Sequence, residues 1–226
     1  MATTVKTKIC GVTTKTDLDT LVYSGAWRVG LVFYPPSPRN LSPAEALTIA
    51  GRLPIGIGRV GVFVDPSNDL IDEVTQQVPL NAIQLHGSET PERVTEIGQR
   101  AGIQLIKAIG VEREEDIAAA AAYEPVVNWL MFDAKTPADA DRPGGMGIAF
   151  DWRLMAGRRW RRPWILSGGL TPGNVAEAIR ISGTEYVDVS SGVESAPGVK
   201  DSALIQYFMD AVGAADQVEA DAERPS

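Results

Sequence analysis

The hydrophobic positions of this chain alternate between two periods. Short runs of β-branched and aliphatic residues fall at 7–10, 29–33, 58–64, 82–85, 104–109, 129–133, 163–166 and 186–189. Between them lie longer stretches with apolar residues three and four apart, at 16–24, 43–52, 68–78, 91–101, 114–123, 151–157, 172–182 and 201–212. A short apolar run bounded by turn residues predicts a buried strand, and the helical period predicts a helix with one face on a core. Helix starts carry their own marks. A threonine cap opens 16–24, where Leu18, Leu21 and Val22 form the apolar stripe. Ser42 precedes Pro43, with Glu45 three residues after the cap, which is the pattern of a capping box with proline in the first turn.

Eight strand–helix pairs share 226 residues, about 28 each, a spacing suited to parallel βα units. The pattern predicts one closed (β/α)8 TIM barrel over residues 1–213, with no domain boundary. An open doubly wound sheet would place its glycine-rich turn early. Here the glycine signals come late, at Gly168–Gly169 and Gly192, after the seventh and eighth predicted strands. Residues 214–226 are rich in Ala, Asp and Glu without an apolar stripe and are expected to form a disordered acidic tail.

Composition narrows the function. Against 21 Lys and Arg stand 29 Asp and Glu, a net charge of −8, so the broad positive field needed for nucleic acid is absent and any anion must be held by local donors. One cysteine and one histidine exclude a disulfide framework and multi-cysteine or histidine-rich metal sites. No apolar run reaches the length of about 18 residues that a membrane span needs, and the first eight residues carry no apolar signal core. The expectation is a cytoplasmic domain with a small-molecule ligand and no membrane partner.

In a barrel, chemistry sits at the carboxyl ends of the strands and in the loops that follow. Cys10 ends the first strand, and Lys8, two residues before it, shares its face. If both point inward, Lys8 favours the Cys10 thiolate; the alternative is a small buried hydrophobe. Asp133 follows Leu130-Met131-Phe132 at the end of the sixth strand, as a site carboxylate or as a cap. Arg39 lies in Pro35-Pro36-Ser37-Pro38-Arg39, a stiff loop after the second strand, either as a carboxylate clamp or as an ordinary surface arginine. Ser167-Gly168-Gly169 and Ser190-Ser191-Gly192 together form a phosphate signature, since glycine lets backbone N–H groups approach an anion. Asp188 shares a face with Ser190 and could meet either Lys8 or the ligand. His86 ends the fourth strand, as a ligand donor or a loop brace.

Taken in order, these stretches resemble the phosphoribosylanthranilate isomerase family of tryptophan biosynthesis. The matching runs are Lys-Ile-Cys-Gly-Val-Thr from Lys8, Ser-Pro-Arg from Ser37, Val-Gly-Val-Phe-Val-Asp from Val60 and Gln-Leu-His-Gly from Gln84. They continue as Phe-Asp-Trp from Phe150, Gly-Gly-Leu-Thr-Pro-Gly-Asn-Val from Gly168, Val-Asp-Val-Ser-Ser-Gly-Val-Glu from Val187 and Pro-Gly-Val-Lys-Asp from Pro197. The resemblance implies a barrel without metal or organic cofactor, monomeric or homodimeric, acting on a phosphosugar. It implies Cys10 as general base, Asp133 as general acid, Arg39 on the anthranilate carboxylate, His86 and Asp188 near the substrate, and Gly168, Gly169, Ser190, Ser191 and Gly192 on the phosphate. Two positions depart from the family pattern. Met146 stands where Thr or Ser is usual, and Ser167 where Ala commonly precedes Gly-Gly-Leu. The rivals are the aldose–ketose isomerase of histidine biosynthesis, which has a carboxylate where Cys10 stands, and a non-catalytic phosphate-ligand binder, which would lack the acid or the base.

Overall fold

The computed structural model describes residues 5–135, 147 and 149–222, with only the backbone of Thr16 and of 216–222. Its strands are β1 (Lys6–Cys10), β2 (Arg28–Phe33), β3 (Gly58–Phe63), β4 (Ala82–Leu85), β5 (Gln104–Val111), β6 (Trp129–Ala134), β7 (Trp164–Leu166) and β8 (Tyr186–Val189). All pair in parallel in chain order, and β1 pairs with β8 as well as β2, so the sheet closes into a TIM barrel. The helices are α1 (Lys15–Tyr23), α2 (Pro43–Ala50), α3 (Asn68–Gln77), α4 (Pro91–Ala101), α5 (Glu114–Ala119), α6 (Val175–Ser182) and α7 (Ser202–Ala222).

A strand buried on both faces reads as a continuous apolar run, and β2 is buried at all six positions. The two faces serve different cores. Outward residues such as Ile9, Leu31, Phe63 and Phe132 join the large cluster under the helices. Inward residues Val60, Ile106, Met131 and Ile165 fill the barrel axis. Below them Trp27, Trp129 and Tyr186 close the amino-terminal end, with ring centroids 4.8–5.1 Å apart. The Arg28 guanidinium lies over Trp27 and Trp129 at 4.0 and 4.7 Å, and burial lowers its pKa to about 10. The barrel is thus packed below and open above.

Helix starts follow their caps. Ser42 and Glu45 make the expected capping box. For α1 the cap is Thr14, whose hydroxyl accepts from Asp17 N while Asp17 accepts from Thr14 N. Elsewhere the fold departs from the expected boundaries. The stretch 151–157 forms only a 3-10 turn, Trp152–Met155, and Gly157 follows it at φ 69°. Helix α6 starts at Val175 rather than at Pro172, because Asn174 accepts from Thr171 N and donates to Gly169 O, holding 169–174 as a turn. A short hairpin, β9 (Glu194–Ala196) with β10 (Val199–Lys200), was not foreseen. Nor is 214–222 a disordered tail: α7 runs to Ala222, since alanine and glutamate extend a helix already nucleated by packed turns. Residues 223–226 and Met146 lie outside the described residues. Among the described residues no helix is long and apolar enough to cross a membrane.

Candidate active site

The inward set of each strand turns polar toward its carboxyl end. Lys8 and Cys10 on β1, Gln84 and His86 at β4, Asp133 on β6, Ser167 after β7, and Asp188 and Ser190 at β8 all follow the period of two. All but the fully buried Lys8 line one open cavity at the carboxyl mouth. Every predicted site residue lines it except Gly192. Gly192 packs under the Leu170 carbonyl, where a side chain would collide, so it joins the two glycine turns from behind.

Cys10 is buried in a field of opposed charges. Lys8, fully buried, donates to Asp188 Oδ1 at 2.8 Å. Burial disfavours the Lys8 ammonium, but Asp188 and Cys10 together outweigh it and raise its pKa. Burial likewise pushes the Cys10 thiol up; Lys8 and Lys200 pull against this and Asp188 adds to it, leaving the pKa raised. The expectation that Lys8 makes Cys10 a ready thiolate is corrected in that respect: desolvation wins, and Asp188 uses much of the lysine's charge. Space for the thiol comes from Gly30 on the neighbouring strand. A methyl there would lie 2.7 Å from Cys10 Sγ and 3.1 Å from Lys8 Nζ.

Asp133 is held on both oxygens. Ala134 N donates to Oδ1 at 2.9 Å, and His86 Nε2 lies 2.9 Å from Oδ2. On its other side His86 Nδ1 meets Gln84 Nε2 at 2.9 Å. Gly168, at φ 89°, lets the turn after β7 pass the acid; a Cβ there would stand 2.8 Å from Asp133 Oδ1. His86 is therefore bonded to the candidate acid rather than to a loop carbonyl.

Arg39 is buried, and Ser37 Oγ accepts from its backbone N–H at 3.1 Å. Its Nε and Nη2 both donate to Glu194, each at 2.7 Å. Ser190 donates its hydroxyl to the Cys10 carbonyl, and Ser167 donates to Asp188 Oδ2, so neither is a purely phosphate-facing group. Glu194, Lys200, Gln84 and Gly30 were given no role from sequence. The first three lay inside the quoted motifs, and Gln84 is two residues before His86 on one strand face. Among the described residues no group of three or more His, Cys, Asp or Glu could hold a metal ion.

A cysteine on β1, a carboxylate on β6, an arginine after β2 and the turns after β7 and β8 thus face one cavity. Residues 7–211 match the family described as N-(5'-phosphoribosyl)anthranilate (PRA) isomerase. The chain belongs to that family. It is an isomerase of tryptophan biosynthesis built on a TIM barrel. A relative from Paracoccus denitrificans, N-(5'-phosphoribosyl)anthranilate isomerase, is 51% identical over 205 residues, covering 91% of this chain and 95% of its own. A crystal structure of phosphoribosyl anthranilate isomerase with reduced 1-(o-carboxyphenylamino)-1-deoxyribulose 5-phosphate is 41% identical, with a TM-score of 0.81 over 93% of this chain and 99% of that one. Monomers generated from the dimeric enzyme of Thermotoga maritima are 42% identical, with a TM-score of 0.80 and the same coverage.

Proposed function

We propose that this chain converts N-(5'-phosphoribosyl)anthranilate to 1-(2-carboxyphenylamino)-1-deoxyribulose 5-phosphate by general acid–base catalysis, with Asp133 as acid and Cys10 as base. The observation that carries this reading is that Cys10, Asp133, Arg39 and the turns after β7 and β8 all face one cavity. The substrate has an anion at each end and its reacting carbons between them. Arg39 suits the planar carboxylate. Gly168, Gly169, Ser190 and Ser191 present backbone N–H groups to the phosphate, with Gly192 holding the two turns together.

Asp133 protonates the ribose ring oxygen, and the C–O bond breaks to leave an iminium. Cys10 then removes the proton from carbon 2, giving an enolamine that tautomerises to the ketone. Two N–H groups bonded to Asp133 suit a carboxylate, so its proton must arrive with or after the substrate. His86 is in contact to supply it: a protonated imidazole gives up its Nε2 proton to Oδ2. Gln84 fits both charge states. Its amide nitrogen serves neutral His86, and its Oε1, without a partner among the described residues, accepts from Nδ1–H once the amide turns over.

A phosphorylated substrate does not cross membranes, which supports a place in the cytoplasm. Both a monomer and a homodimer are compatible with a site built from one chain. The test is turnover of phosphoribosylanthranilate followed by loss of its fluorescence. Wild type should react, and Cys10→Ala and Asp133→Asn should not. Binding of the substrate without turnover by wild type would replace this reading with a non-catalytic binder.

A further inference from the structure

The Arg39–Glu194 pair belongs to a larger buried cluster. Glu194 Oε1 also accepts from Lys200 Nζ at 2.7 Å, and Oε2 accepts from Gly198 N at 3.1 Å. Lys200 Nζ reaches on to the Ser190 carbonyl at 3.0 Å. Arg39, Glu194 and Lys200 have side chains that are all nearly inaccessible to water. The cluster holds two cations and one carboxylate, so it is one negative charge short of neutrality. Burial lowers the Lys200 pKa while the pairing raises that of Arg39, so the guanidinium is the firmer of the two charges.

A guanidinium has two edges that can each take a carboxylate. Glu194 occupies the side edge, Nε with Nη2. The end edge, Nη1 with the second Nη2 proton, is left over; among the described residues Nη1 has no hydrogen-bond partner. Arg39 lines the cavity. Glu194 also stands on β9, directly after the turn assigned to the phosphate, and Lys200 ties it to Ser190 in that turn.

We propose that Glu194 is the positioning residue that fixes Arg39 with its end edge toward the cavity, so that this edge reads the carboxylate of the substrate. This rests on the reading that Arg39 holds that carboxylate. It adds a second residue to the specificity for an acidic aromatic amine, and it links the two anion sites through Lys200. Glu194 does not touch the substrate. Its effect travels through Arg39, which has two discrete edges to offer and would otherwise turn the wrong one toward the ligand.

The readout is a preference: kcat/KM for phosphoribosylanthranilate divided by kcat/KM for the same compound without its carboxylate, N-(5'-phosphoribosyl)aniline. Glu194→Gln should lower that ratio by about 10- to 100-fold, the factor a charge-assisted hydrogen bond is worth; any loss carried through Lys200 to the Ser190 turn falls on both compounds alike and cancels in the ratio. Arg39→Ala should lower the ratio at least as far, and Glu194→Gln added to Arg39→Ala should lower it no further. Equal losses on both substrates mean a merely structural role and overturn the proposal, as does additivity in the double variant. If Arg39→Ala keeps the wild-type ratio, the clamp reading itself falls. If Arg39→Ala lowers the ratio and Glu194→Gln leaves it, only the role of Glu194 falls. Should Glu194→Gln not fold, Glu194→Asp reads the same quantity: its shorter carboxylate draws the guanidinium back and lowers the ratio, and an unchanged ratio overturns the proposal.

Discussion

Lys8→Met separates what the buried pair under Cys10 does for stability from what it does for chemistry. Lys8 is fully buried and Asp188 nearly so, with Nζ and Oδ1 2.8 Å apart. At that separation, with an effective dielectric of about 20, the direct attraction is about 6 kcal/mol. Desolvation of both ions offsets most of it, so the pair contributes little net stability. Removing one partner is different, because Asp188 then stays buried with only the Ser167 hydroxyl at 3.3 Å. That loss is about 3–5 kcal/mol. For a chain of this size it corresponds to a fall in Tm of about 6–20 °C. Lys8→Met with Asp188→Leu removes both charges and should recover most of the stability while remaining inactive, since Asp188 lines the cavity. Urea unfolding of wild type, both single variants and the double variant measures the cycle. A loss below about 1 kcal/mol for Lys8→Met, or a double variant as unstable as the worse single one, would refute the reasoning.

Further expectations follow from the same geometry. The raised Cys10 pKa means that the thiolate is scarce at neutral pH, so alkylation of Cys10 through the cavity by a small neutral reagent such as iodoacetamide, which reads the thiolate alone, should speed up about tenfold per pH unit and level off only above the ordinary thiol value of about 8.5; an alkylation rate already flat at pH 7 would contradict it. Lys200→Met should move that rise to still higher pH, because Lys200 pulls the thiol down. Asp133→Asn should abolish turnover with little loss of affinity, whereas His86→Gln should lower kcat by about 10²-fold and keep KM; a normal kcat in His86→Gln would remove the histidine from the proton path. Gly30→Ala should cost about 1–3 kcal/mol of stability on unfolding and lower kcat by more than about tenfold, because the added methyl displaces Sγ; wild-type turnover would show that the thiol has room to spare.

The barrel was legible because its signals are local. Each strand could be read from its own apolar run, and Pro91–Ala101 and Ala82–Leu85 match to the residue. Boundaries failed where a side chain outside the pattern intervened. Asn174 held back α6 by bonding to Thr171 and Gly169, a contact that apolar spacing does not encode. At the other end α7 outran its apolar stripe, because helix propensity alone carried it on. The site residues were legible by position, through the period of two and the rule that chemistry sits at strand ends. Of their partners, Lys8 and Asp188, 180 residues apart, were legible as one of two alternatives because a closed barrel puts β1 beside β8, whereas the Arg39–Glu194 pair, 155 residues apart and carried by loops, was not. Only ring closure between β1 and β8 brings these ends of the chain together.

That closure also explains how a chain with a net charge of −8 holds a substrate with two anionic ends. The excess acid lies mostly outside: Asp72, Glu96, Glu112 and Glu114 are exposed or half-exposed and pair with arginines and lysines that are themselves at least partly exposed. At the mouth the balance is different. Lys8 and Asp188 cancel, Lys107 and Glu89 cancel, and Arg39 with Lys200 exceeds Glu194 by one, a surplus that the Asp133 carboxylate offsets until it takes up its proton. In water such a surplus would be screened within about 8–10 Å, but these groups are buried, where the local balance decides. Net charge therefore bounds the partners a chain can attract from a distance, while the sign of its site is set by which few charges the fold buries without an equal number of opposites.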